Sequence, residues 1–418
     1  MWRRGGYIKD FSHRLGYLPS IKKDSKRIRI WIQAVSVGEI LAIGPLIERL
    51  KKEPRVDIIL TTTTSTGYAE ARNRYSQQTI VIGIFPIDFW LFSRKAWKRL
   101  SPDAIIQTES ELWPEHLHQA KEYKTPIFLI NARISDRSFS RYQKLHFIAR
   151  RLFGKIDHIF ASSDLDRNRI ITLGAKEEQV TNTGSIKFDV SVGIELSKDE
   201  RTQLRADLGF KPSKTTPIAP FIIVGASTWP GEEALLLEAQ KALIDQGVDC
   251  RVLLVPRHAE RAPEIIQLLT AQSLSWHQRS IDSTVQNESD FKIYLADTTG
   301  ELSQLIQAGD LAFIGKSLEP HRGGQTPIES AGLGLPILMG PHMENFRQVT
   351  ASLVQSEAAI QIENSSTLKR AIIDLHTTPA TRATMAEAGK KWHQSNRGSS
   401  DQISAAILQV LTEIKRGS

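Results

Sequence analysis

Two α/β domains, each built on a doubly wound parallel sheet, are what this sequence predicts. Three observations carry the prediction. Short β-branched runs alternate with longer amphipathic segments along most of the chain, the pattern of βαβ units. The alternation pauses once, between about residues 195 and 220, and then resumes. The 418 residues exceed what one ordinary hydrophobic core organises and suit two cores of about 200 residues each.

In the first half, strands are expected at Ile28–Val35, Val56–Thr62, Thr79–Ile84, Ala104–Thr108, Ile127–Ile130 and Ile156–Ala161. Amphipathic helices such as Ile40–Lys51 and Leu112–Tyr123 lie between them. The pause holds a charged helix, Lys198–Leu208, then the polar run Lys211-Pro212-Ser213-Lys214-Thr215-Thr216-Pro217, the composition of an interdomain linker. Strands resume at Phe221–Gly225, Arg251–Val255, Ile293–Ala296, Leu311–Ile314 and Pro336–Met339, and from about Ser366 the chain reads as consecutive helices. The expected division is a basic arm over 1–27, a first domain over 28–195, a linker region over 196–217, a second domain over 218–395 and a terminal helix over 396–418.

The composition, 40% apolar and 24% charged, is that of an ordinary soluble globular chain. The single cysteine, Cys250, permits neither an internal disulfide nor a thiolate metal pair and fits a reducing compartment. Lys and Arg number 54 against 46 Asp and Glu, an excess of +8 that is concentrated at the start. There Arg3, Arg4, Lys9, Arg14, Lys22, Lys23, Lys26, Arg27 and Arg29 face only Asp10 and Asp24. Such a segment is either a solvated arm or one drawn to an anionic surface, at about 1 kcal/mol per residue beside a charged bilayer. No apolar run reaches the ~18 residues of a spanning helix, and no signal-peptide core follows the basic start. The chain is therefore expected to stay on the cytoplasmic side. Nucleic-acid binding is disfavoured, because the basic excess is small and no recognised module appears.

The residues that carry chemistry fall just after strands, where doubly wound sheets bind their ligands. In Val35-Ser36-Val37-Gly38-Glu39, Gly38 and the small Ser36 suit a tight turn. Glu39 is either a plain charge at a helix start or a general base for an attacking hydroxyl. In Glu109-Ser110-Glu111-Leu112-Trp113-Pro114 the paired acids suit sugar hydroxyls, a cation, a basic partner or a helix cap. Arg133, in Asn131-Ala132-Arg133, suits a carboxylate or phosphate held by two parallel hydrogen bonds, or an interdomain ion pair.

In the second half, Ser227 and Thr228 lie in Gly225-Ala226-Ser227-Thr228-Trp229-Pro230-Gly231-Glu232-Glu233, a strand-to-helix turn that offers N–H groups to an anion. It lacks the Gly-Lys-Ser/Thr of a phosphate loop. Pro256-Arg257-His258 supplies a phosphate clamp in Arg257, with His258 assisting or simply packing. Asp297-Thr298-Thr299-Gly300-Glu301-Leu302 turns into a helix. His321-Arg322-Gly323-Gly324-Gln325-Thr326-Pro327-Ile328-Glu329 is a Gly-rich turn with Pro327 where a first helical residue is expected and Glu329 able to accept from both hydroxyls of a ribose. Phe89–Leu100 interleaves aromatic and basic residues, as a face in lipid headgroups does, or as a buried helix with a basic outer side does.

In this order the motifs resemble the 3-deoxy-D-manno-oct-2-ulosonic acid (Kdo) transferases of lipopolysaccharide synthesis, from Val35 to about Val349. The most specific pieces are Ala34-Val35-Ser36-Val37-Gly38-Glu39 and Glu111-Leu112-Trp113-Pro114. Asn131-Ala132-Arg133, Gly184-Ser185-Ile186-Lys187-Phe188-Asp189, Pro256-Arg257-His258 and Gly340-Pro341-His342 also match. The resemblance implies a GT-B fold, two Rossmann-like domains facing an interdomain cleft, with CMP-Kdo as donor and a lipid A precursor as acceptor. It implies inverting transfer with Glu39 as general base, no bound metal and no cofactor, and a peripheral place at the cytoplasmic face of the inner membrane. Ser36, Gly38, Glu109, Glu111, Arg133 and Lys187 match acceptor-side positions. Ser227, Thr228, Pro256, Arg257 and His258, with Thr299, Gly300, Glu301, Leu302, Thr326 and Glu329, match the donor side. The terminal helix is free, by the same analogy, to pack back on the first domain. Two positions depart from the family: Gln325-Thr326 replaces the usual His-Asn, and Lys316 stands where glycine is usual. The alternatives are a UDP-sugar epimerase of the same fold and a non-catalytic sugar-nucleotide-binding protein.

Overall fold

A computed structural model describes residues 10–190, 192–212, 218–272, 274–283 and 291–416. The chain divides into two compact units, Met1–Val190 with Asn396–Ser418, and Ser191–Ser395.

The first unit holds seven strands: β1 (Ile28–Gln33), β2 (Val56–Thr62), β3 (Val81–Ile84), β4 (Ala104–Thr108), β5 (Ile127–Ala132), β6 (His158–Ala161) and β7 (Val180–Asn182). They pair in parallel in the order β3-β2-β1-β4-β5-β6-β7. The central strands are buried on both faces, which is why they read as continuous apolar runs. Successive residues still feed opposite cores: Ile30 and Ile32 join one, Trp31 the other.

The helix expected over Ile40–Lys51 is two helices, Val37–Ala42 and Gly44–Leu50. Pro45 lacks the N–H that would continue the first into the second and opens the second instead. The terminal helix Ser399–Arg416 belongs to this unit: Ile403, Ile407 and Leu411 complete the core around Ile30 and Ile32. The Asp189 carboxylate accepts from the N–H groups of Gly398 (2.6 Å) and Ser400 (2.5 Å), so the last residue of the Gly184–Asp189 motif caps this helix.

The second unit holds β8 (Phe221–Thr228), β9 (Cys250–Pro256), β10 (Trp276–Gln278), β11 (Ile293–Leu295), β12 (Leu311–Ile314), β13 (Ile337–Met339) and β14 (Ala359–Gln361). They too are parallel, in the order β10-β11-β9-β8-β12-β13-β14. The charged helix, Lys198–Asp207, packs Leu204 and the following Leu208 and Phe210 into this unit's core. Residues 213–217 of the expected linker lie outside the described residues. The strands that were not expected, β7, β10 and β14, are three-residue edges whose half-exposed positions carry no apolar run to signal them.

The basic arm needs correction. Arg3, Arg4 and Lys9 lie outside the described residues, but most of the others serve the fold. Buried Arg29 donates to the carbonyls of Leu100 (2.7 Å) and Ile21 (3.3 Å). Arg27 pairs with Asp57 (2.7 Å), Lys23 with Asp103 (2.7 Å), and Arg14 donates to the Phe85 carbonyl (2.7 Å). These side chains are partnered within the first unit.

Candidate active site

In the first unit the expected acceptor-side residues gather beyond the carboxyl ends of β1, β4 and β5. Glu39 is the third residue of helix Val37–Ala42, and its carboxylate folds back on the turn that launches it. It accepts from the Val35 N–H (2.9 Å), from Ser36 Oγ (3.1 Å) and from Thr108 Oγ1. Burial, reinforced by the charge of Glu109, raises its pKa against those hydrogen bonds. Gly38 is not needed for the turn: it lies in the helix, and an added Cβ would meet only Ser36 Oγ at 3.9 Å. Ser36, in an extended conformation, is the residue from which the helix starts.

Glu111 is pushed up to about 7 by burial and by the charges of Glu39 and Glu109. Glu109 pairs with Lys187 Nζ at 2.7 Å. Its backbone is left-handed (φ 56°), as is that of Asn131 (φ 51°) at the end of the neighbouring strand. Such conformations cost about 1–2 kcal/mol in non-glycine residues and collect at functional sites. Arg133 makes no hydrogen bond or ion pair to a described residue and stays half-exposed. The helix Pro114–Glu122 is capped from elsewhere: Asp88 Oδ1 accepts from the N–H groups of Glu115 (3.0 Å) and His116 (3.1 Å). Neither Glu109 nor Glu111 is therefore consumed as its cap. The segment Phe89–Leu100 forms the helix Trp90–Leu100 with Phe89 before it. Ser93, Ala96, Trp97 and Leu100 are buried, while Phe89, Trp90 and Leu91 are 48%, 54% and 44% exposed.

In the second unit the donor-side residues lie at or beyond the carboxyl ends of β11, β9, β8 and β12, four adjacent strands. A buried carboxylate missed by the sequence reading organises them. Glu232 accepts from the N–H groups of Trp229 (2.9 Å), Lys316 (2.9 Å) and Ser317 (3.1 Å), clamping the loops after β8 and β12 together. Burial raises its pKa although these hydrogen bonds oppose the shift. The Arg257 N–H donates to the Thr228 carbonyl (3.1 Å) where Pro256 ends β9, and the guanidinium is exposed with no partner among the described residues. Ser227 is left-handed (φ 57°). The Thr228 hydroxyl is buried with no hydrogen-bond partner.

Glu301 is engaged: Arg279, after β10, grips it with two hydrogen bonds (2.6 and 2.9 Å), and Thr298 Oγ1 donates to it. The guanidinium holds its carboxyl down at about 2. Thr299 and Gly300 (φ 85°) form the open turn before Leu302, the first residue of helix Leu302–Leu305. Pro327 is the residue before helix Ile328–Gly332 and not its first member. Thr326 Oγ1 instead takes the Ile328 N–H (3.3 Å). Glu329 accepts from Ser303 Oγ at 3.4 Å, and burial raises its pKa. Among the described residues no group of three or more His, Cys, Asp and Glu side chains is placed to hold a metal ion, and no helix is long and apolar enough to cross a membrane.

Chemically, the first unit offers a carboxylate suited to accept a proton, and the second offers an exposed guanidinium, Arg257, suited to phosphate. The family model of 3-deoxy-D-manno-octulosonic-acid transferases (kdotransferases) matches residues 9–190. The chain is 30% identical over 379 residues to a 3-deoxy-D-manno-octulosonic acid transferase of Haemophilus influenzae, covering 90% of this chain and 85% of that one. It is 31% identical over 419 residues to the enzyme of the same name from Bordetella pertussis, covering 97% and 94%. Among solved structures, UDP-GlcNAc 2-epimerase from Neisseria meningitidis superposes with a TM-score of 0.60 at 14% identity, covering 91% of this chain and all of that one, a likeness of fold.

Proposed function

The chain belongs to the 3-deoxy-D-manno-octulosonic acid transferase family of GT-B glycosyltransferases, and from that premise we propose that it transfers Kdo from CMP-Kdo to a lipid A precursor with Glu39 as general base. The observation that carries the reading is the Glu39 carboxylate. It is half-buried, hydrogen-bonded on both oxygens, and more basic than a free carboxylate. A hydroxyl of the lipid loses its proton to Glu39 as its oxygen bonds to the anomeric carbon of Kdo. The bond from that carbon to the CMP oxygen breaks, with inversion, and CMP leaves. A positioned base supplies a factor of about 10²–10⁴. The exposed Arg257 guanidinium meets the charge gathering on CMP, so the route calls on no metal.

Lys187 and Arg133 are the cations for the anionic groups of the acceptor or of the Kdo carboxylate. Glu109 and Glu111 orient them and the sugar hydroxyls. Phe89, Trp90 and Leu91, exposed ahead of the basic outer side of their helix, support peripheral contact with the inner membrane on its cytoplasmic face. The test is incubation of the purified protein with CMP-Kdo and a tetra-acylated lipid A precursor, beside Glu39→Ala. Mass gain by whole Kdo units, lost in the variant, is expected. A folded protein that adds no Kdo, and instead interconverts UDP-sugars, sinks the proposal.

A further inference from the structure

Lys316 is held in place by several independent constraints. It follows β12 with φ +61°, a backbone that an L side chain adopts at a cost and glycine adopts freely. A Cβ on the preceding Gly315 would lie 2.2 Å from the Ser227 carbonyl oxygen, so the loops after β8 and β12 touch there. The Lys316 N–H is bound to Glu232 (2.9 Å), and its carbonyl accepts the Gly324 N–H (3.0 Å), which joins it to the Gly-rich turn. Its side chain then lies across Trp229, with Nζ 4.6 Å from the ring centre. His258 and His321 pack on the same indole at 5.4 and 5.3 Å.

No carboxylate among the described residues pairs with that ammonium. The aromatic face alone holds it, as cation–π attraction does. Around it are donors without acceptors: Thr228 Oγ1 and Trp229 Nε1 are buried with no hydrogen-bond partner. Arg257, anchored through its N–H on Thr228, is exposed and unpaired among the described residues. An ammonium parked on an indole, beside unused donors and a free guanidinium, is a site short of an anion.

We propose that Lys316 is a ligand-binding residue of the donor site, its ammonium taking an oxyanion of the sugar nucleotide. This rests on the donor reading given above and adds to it a named cation. Two sources share the chemistry, the nucleotide phosphate and the carboxylate of the sugar acid.

The experiment titrates the full chain with CMP, cytidine and free Kdo by calorimetry, for wild type, Lys316→Gln and Lys316→Gly, and measures KM and kcat with CMP-Kdo. A charged hydrogen bond lost from such a site weakens binding by roughly ten- to a hundredfold. Phosphate as the target predicts that loss for CMP in both variants, with cytidine unchanged. Carboxylate as the target predicts unchanged CMP affinity, weaker Kdo and a KM for CMP-Kdo raised by the same factor at nearly constant kcat. Lys316→Gly relieves the left-handed strain and should melt no lower than wild type, which separates lost binding from lost folding. Variants that bind CMP and Kdo and use CMP-Kdo as wild type does overturn the proposal and leave the donor reading intact. A wild type that ignores CMP and binds a uridine nucleotide overturns both.

Discussion

Replacing Glu111 by glutamine should stabilise the protein, and only above a defined pH. The Glu111 carboxyl sits at about 7 in the folded chain against 4.5 for the ordinary group, because burial and the neighbouring charges of Glu39 and Glu109 disfavour its ionised form. The folded state therefore holds its proton more tightly than the unfolded chain does. Below pH 4.5 both states are protonated and the group's contribution is fully present; as pH rises through about 7 it is lost. In full, the linkage is worth about 3.4 kcal/mol, and partial solvation of the side chain reduces the expectation to about 2 kcal/mol. Glutamine keeps the shape and never ionises. Denaturant unfolding of wild type and Glu111→Gln at pH 5 and pH 8 should show near-equal stability at the lower pH and a gap of about 2 kcal/mol favouring the variant at the higher one. Parallel curves, or a gap that widens toward acid, would refute the account of a buried Glu111 crowded by the charges of Glu39 and Glu109.

The same crowding bears on turnover. The acid limb of the kcat profile should have its midpoint above the 4.5 of a free glutamate, because Glu39 is raised by burial, and Glu39→Gln should flatten that limb while costing about 10²–10⁴ in rate. Glu232→Ala strands three N–H groups, that of Ser317 buried and those of Trp229 and Lys316 partly so, and should cost about 2–3 kcal/mol by chemical unfolding, with donor affinity falling as the two loops part. An unchanged unfolding midpoint would dismiss the clamp. Arg279→Ala frees Glu301, which should then titrate near an ordinary carboxylate instead of at about 2, a change that NMR titration of the glutamate side chains can follow.

Much of the fold was legible because it is written in local periodicity. Strands buried on both faces need apolar residues on both, so β1, β2, β4, β5, β8, β9 and β12 announce themselves as β-branched runs. The three-residue edges β7, β10 and β14 do not, since pairing with a neighbour, and not their own composition, makes them strands. Candidate site residues were legible for a related reason: doubly wound sheets put chemistry after strands, and small or charged residues there stand out against the apolar run before them.

Partnership is what the linear chain conceals. That Arg29 and Arg27 are partnered inside the first unit depends on carbonyls and a carboxylate elsewhere in the chain. That Glu301 is gripped by Arg279, that Glu232 ties two loops, and that Asp189 caps a helix more than two hundred residues further on are facts of proximity. The sequence by itself determined the βαβ alternation, the two-domain plan and the family, because hydrophobic period and ordered motifs are properties of the chain. Only the tertiary structure decided which carboxylates are paired, which are crowded into holding protons and which cations stand free, because charge interactions fall off with distance in space and burial exists only once the chain has folded.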